Sequence, residues 1–163
     1  MNIHTENFLN NLLFDAQCGQ NDSETPFTEE ESIQGCTIHD FSPEFVSAVE
    51  GFIDGFISFL NKKEFDMARL DYLERSFGGN VYLSLSGAGA GFFDEYGDPD
   101  KTLGDELQSL IKEYSGSSHR FEELSYSLSK NEKGELDLAI IPSAIDEYRN
   151  KIFQVENAKL NLV

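Results

Sequence analysis

Between residues 42 and 60 the apolar positions recur at steps of three and four. Phe45, Val49, Phe52, Ile53, Phe56 and Leu60 form one wide stripe, the spacing of an amphipathic helix with its apolar face in a core. Its start is marked: Ser42 is a good N-cap, Pro43 suits the first helical position, and Glu44 meets the positive end of the helix dipole. Gly51 and Gly55 lower the propensity of this helix and predict that another element packs close to it. Residues 3–14 carry a shorter version, with Phe8, Leu9, Leu12 and Leu13 on one face. Residues 64–77 are again helical in pattern through Phe65, Leu70, Leu73 and Phe77, and Gly78-Gly79 reads as the stop.

The period then shortens. "NVYLSL" (80–85) predicts a strand, "GAGAG" a tight connection and "GFFDE" (91–95) a partner strand. Leu103, Leu107, Leu110 and Ile111 predict a helix ending near Tyr114. "FEELSYSLS" (121–129) and "ELDLAII" (135–141) predict two strands joined by "KNEKG", a connection of hairpin length, and Pro142-Ser143 opens a last helix over about 143–155. The expected fold is α+β, with the N-terminal and central helices packed on a small antiparallel sheet of about four strands. At 163 residues the chain reads as a single domain, 1–163, able to bury a core without a metal or a disulfide. No internal repeat is visible. Residues 15–40, interrupted by Gly19, Pro26 and Gly35, read as a long acidic loop whose composition favours partial disorder. Long loops in compact domains are often functional.

Charge changes this picture most. Twelve Lys and Arg face thirty Asp and Glu, a formal net charge of -18. Residues 1–61 hold eleven carboxylates and no Lys or Arg, the first cation being Lys62; the other 102 residues hold 19 acids and 12 bases, so the two parts carry -11 and -7. Such a field repels nucleic acid and anionic lipid and attracts basic surfaces over about 8 Å at physiological salt. Direct nucleic-acid binding and membrane binding are thereby disfavoured. With no apolar run long enough to span a bilayer and no signal-peptide pattern at the N-terminus, the expected location is cytoplasmic.

Little catalytic chemistry is written in the chain. "GAGAG" is neither G-x-G-x-x-G nor a lysine-bearing phosphate loop, and Val81 to Asp100 contains no cation. "DEYGDPD" has its glycine in the wrong place for a calcium loop. Cys18, Cys36 and His39, with His4 as a fourth donor, lack the paired spacing of a zinc site and read as ordinary, partly buried thiols. His4, His39 and His119 are scattered, and thirty acids make any single carboxylate pair uninformative. No enzyme, no cofactor and no metal is expected.

"GGNVYLSLSGAGAGFFDE", followed by "LGDELQSLIKEY" and a hairpin with an acidic turn, resembles a widespread family of small uncharacterised proteins of tailed bacteriophages. That family carries G-x-G-A-G-F-[WF]-D, and the resemblance spans roughly 5–140, including "DFSPE" and the phenylalanine-rich helix after it. Here Leu85 and Ser86 stand where the family pattern has Arg and Asn, Ala88 where it has His, and Glu95 where it has Arg. Each lost cation moves the surface toward a uniform negative field. The resemblance brings no settled activity; it implies a phage protein acting in the host cytoplasm. Small acidic phage proteins occupy the DNA-binding clefts of host proteins, which makes a host DNA-binding protein with a basic cleft the expected partner.

Eighteen charges match roughly 30 Å of duplex, and a chain of this length has a radius of gyration near 15 Å. The expected function is therefore a DNA-mimic inhibitor, with Glu29, Glu30 and Glu31 in the long loop, Glu44, Glu50 and Asp54 on the helix, and Asp94, Glu95, Asp98 and Asp100 after the glycine turn as partner-binding carboxylates. The alternative is a phage assembly or replication module with an apolar interface, its acidity serving solubility alone. "FEELSYSLS" as an exposed strand would allow a homodimer by edge pairing.

Overall fold

The structure is a computed structural model of the chain and describes residues 1–24, 26–73, 75–89, 91–94, 102–140 and 142–155. It is a mixed helical and antiparallel-sheet fold. The helices are α1 (Ile3–Asn21), α2 (Pro43–Lys62), α3 (Phe77–Ser86), α4 (Leu103–Ser115) and α5 (Ile145–Phe153), and the described strands are β1 (Leu128–Lys130) and β2 (Leu136–Leu138). The buried apolar residues form one contiguous cluster. Aromatic rings carry much of it: Phe8 meets Tyr82 and Phe121 edge-on at 5.4 and 5.2 Å, and Phe52 meets Tyr114 and Phe121 at 5.2 and 5.0 Å. Edge-to-face pairs at such separations add about 0.5–1.5 kcal/mol each beyond burial of their area.

α2 follows its sequence pattern. Ser42 Oγ accepts from the Phe45 amide at 3.1 Å, Pro43 opens the helix, and all six stripe residues are buried. α1 runs past residue 14 and takes in residues 15–21 of the segment read as loop, because Ala16 continues the buried face of Leu9, Leu12 and Leu13. The following segment is latched to α1 by two glutamines. Gln17 Nε2 donates to the carbonyls of Ile33 and Cys36 at 3.0 and 3.1 Å, while Gln20 donates to the Glu31 carbonyl and accepts from the Ile33 amide.

The middle of the chain departs from expectation. Gly78-Gly79 does not stop a helix; it lies inside α3, and 67–73 forms a 3-10 turn instead of part of a longer helix. "NVYLSL" is helical because Phe77, Val81 and Leu85 also share a four-residue step, and all three are buried. α1 crosses α3 at the glycines: a Cβ on Gly78 would overlap the His4 carbonyl and sit 2.8 Å from His4 Cα, and one on Gly79 would sit 2.5 Å from Asn11 Nδ2.

"GAGAG" is thus a helix end, not a strand connection. Gly87 takes φ +76° as the left-handed cap, and the chain turns back over α3, with Gly91 at φ +60° pressed against Ser84. Ser84 Oγ accepts from the Phe92 amide at 3.1 Å and donates to Gln108 Oε1 at 2.9 Å, which seats the fully buried Phe92. "GFFD" is a 3-10 turn, so the expected partner strand is absent there.

Most of "FEELSYSLS" is also turn, with Phe121 and Leu124 inward and Glu122 and Glu123 outward, a step of three that suits a helical turn better than a strand. The sheet therefore has two strands among the described residues, not about four. β1 and β2 pair antiparallel with Leu128 opposite Leu138 and Lys130 opposite Leu136. Their connection is the expected hairpin: Asn131 Oδ1 accepts from the amides of Lys133 and Glu135, and Gly134 takes φ +78°. On its other side β2 meets the start of α2, where the Ser42 amide donates to the Leu136 carbonyl at 2.9 Å. Among the described residues no helix is long and apolar enough to cross a membrane.

Candidate functional site

α2, the hairpin and α5 converge on a buried charge pair. β2 places Asp137 between two leucines, and α5 brings Arg149 to it. The Arg149 guanidinium donates to Asp137 Oδ2 at 2.8 Å and, from its other terminal nitrogen, to Asp146 Oδ1 at 2.8 Å. Ser42 Oγ donates to the same Asp137 oxygen at 2.5 Å, and the Leu138 amide donates to Asp137 Oδ1 at 2.8 Å. Both charged side chains are under a tenth exposed. Three elements are held in register by one carboxylate.

Above this pair lies an open groove of about 700 Å³. Leu138, Ala139, Ile140 and Ile145 give it an apolar wall, while Glu44, Glu135, Lys130 and Lys133 are polar neighbours. Its volume falls within the range of ligand-binding clefts, about 300–1,000 Å³. Arg149 Nε is buried and has no acceptor among the described residues.

The expected partner-binding carboxylates lie on three different elements. Glu29, Glu30 and Glu31 are exposed on the loop after α1, where Glu31 closes on Thr28: the Thr28 hydroxyl donates to Glu31 Oε1 at 2.7 Å. That hydrogen bond, with a second from the Thr28 amide, holds the Glu31 carboxyl below its ordinary range. Glu44 and Asp54 are exposed on α2 and Glu50 is half-buried there; of these three, Glu44 alone lines the groove. Asp94 closes the 3-10 turn after Gly91. Glu95, Asp98 and Asp100, together with most of "DEYGDPD", lie outside the described residues.

Among the described cations Arg120 and Arg149 serve the interior, while most of the others are exposed. Arg120 donates to the Ser115 hydroxyl and carbonyl and to the Ile152 carbonyl, tying the end of α4 to the end of α5. Arg69 and Lys63 pair with Glu106 and Glu113 at 2.8 and 2.6 Å. Burial, reinforced by Asp54, pushes the Tyr114 phenol well above its ordinary range, with Arg120 opposing. Cys18 is exposed and Cys36 half-buried, so the thiols are less alike than their spacing suggests. Among the described residues no three His, Cys, Asp or Glu side chains group as a metal site.

No family model, curated protein or solved structure matches the chain.

Apart from Glu44, the groove residues carry no mark that singles them out in the sequence. The nearest to one is Asp137, a lone acid inside the apolar run "LDLAII", with Arg149 one helical turn after Asp146. Their meeting depends on a fold the run itself does not encode.

Proposed function

We propose that this chain is a non-enzymatic acidic protein that captures a host nucleic-acid-binding protein by offering carboxylates where phosphates would lie. One observation carries the reading: Glu29, Glu30, Glu44 and Asp54 face solvent on residues 1–61, a part of the chain that holds eleven carboxylates and no Lys or Arg. A partner with a basic cleft is attracted over a Debye length and loses the attraction as salt rises.

Phe14 and Tyr126, 65% and 79% exposed, favour a second reading, an apolar interaction module. A pull-down from host lysate, washed at low and then high salt and competed with duplex DNA, separates the two. DNA mimicry expects a DNA-binding protein released by salt and by duplex. Retention of the partner through both washes would overturn it. The quadruple reversal of Glu50, Asp54, Asp94 and Asp98 to Lys should abolish capture without unfolding; unchanged capture would sink that choice of carboxylates.

A further inference from the structure

The geometry points to the groove between the β1–β2 hairpin, the start of α2 and α5 as the docking site for a short basic segment of the partner, one that alternates cationic and apolar side chains. The inference rests on the reading above and deepens it by giving the partner a seat.

Two features of the groove select that occupant. Leu138, Ile140 and Ile145 offer apolar surface, so charge alone does not fill the site. Around them five carboxylates, Glu44, Glu132, Glu135, Asp137 and Asp146, outnumber three cations, Lys130, Lys133 and Arg149, the last shared between Asp137 and Asp146. An anionic ligand would meet that excess together with the field of the whole chain, whereas a cationic one is drawn by both.

The test uses the full chain labelled with nitrogen-15 and two synthetic decapeptides, one alternating arginine with leucine, the other all arginine. The alternating peptide should bind about tenfold or more tightly than oligoarginine and shift the amides of 129–140 and 145–149. Ala139→Arg fills the groove from an exposed position and should weaken that binding at least tenfold; Ser58→Arg, an equal charge change on the exposed face of α2, should not. Glu44→Lys gives an independent second variant at the rim. Binding that persists with shifts elsewhere, or that Ala139→Arg and Ser58→Arg weaken equally, would overturn the groove while leaving basic-partner capture standing. Failure of both peptides to bind at low salt would remove both proposals, and preferential binding of a glutamate–leucine decapeptide would reverse the ligand's sign.

Discussion

Gly51→Ala and Gly78→Ala make the same chemical change inside two helices, and the structure predicts opposite signs. In a helix interior alanine is favoured over glycine by about 0.8–1.0 kcal/mol. At Gly51 the new methyl meets nothing within 4 Å, so that preference stands alone. At Gly78 the methyl would overlap the His4 carbonyl and lie 2.8 Å from His4 Cα. The obstacle is backbone, which cannot rotate away, so α1 and α3 must separate. Overpacking of this kind costs about 1–3 kcal/mol, and more when a helix crossing has to open. The net expectation is a gain of about 1 kcal/mol for Gly51→Ala and a loss of about 1–2 kcal/mol for Gly78→Ala. With a urea slope of about 2 kcal/mol per molar, the midpoint should rise by ~0.5 M in the first and fall by ~0.5–1 M in the second. Equilibrium urea unfolding followed by circular dichroism reads both. A Gly78→Ala midpoint at or above that of the parent would refute the close crossing and with it the reason for a double glycine inside α3.

Two further outcomes follow from the buried polar groups. Arg149→Met strands Asp137 in the core with Ser42 and the Leu138 amide as its remaining donors, and should cost about 3–5 kcal/mol; adding Asp137→Leu should recover a good part of that, and a single-variant loss below about 1 kcal/mol would mean the pair is solvated. Burial first, then the Asp15 carboxylate that accepts from its hydroxyl at 2.7 Å, raises the Tyr82 phenol far above its ordinary value near 10, and burial does the same for Tyr114. A raised folded-state value favours the protonated native form, so this stability is fully present below pH ~10 and is lost above it as the unfolded tyrosines ionise. Ultraviolet titration should show two of the six tyrosines ionising only on unfolding; ionisation of all six in the folded chain at pH 11 would contradict it.

The negative charge follows from composition alone, and α2 with its cap, the hairpin with its Asn131–Gly134 turn and the last two helices are legible in the chain because each depends on neighbours within a few residues. Ser42-Pro43-Glu44 satisfies local backbone groups and a local dipole, and Asn131 bonds amides two and four residues on. The tertiary structure decided the centre. "NVYLSL" satisfies a two-residue and a four-residue period at once, and what resolves it is α1 lying across Gly78-Gly79, contacts between residues about seventy positions apart. A glycine pair looks the same in sequence whether it ends a helix or admits another. The groove is non-local for the same reason: Ser42 and Asp137 are 95 residues apart and Arg149 a further 12. Burying a charge is favourable only where its partners arrive together, and that arrival is a property of the packed fold.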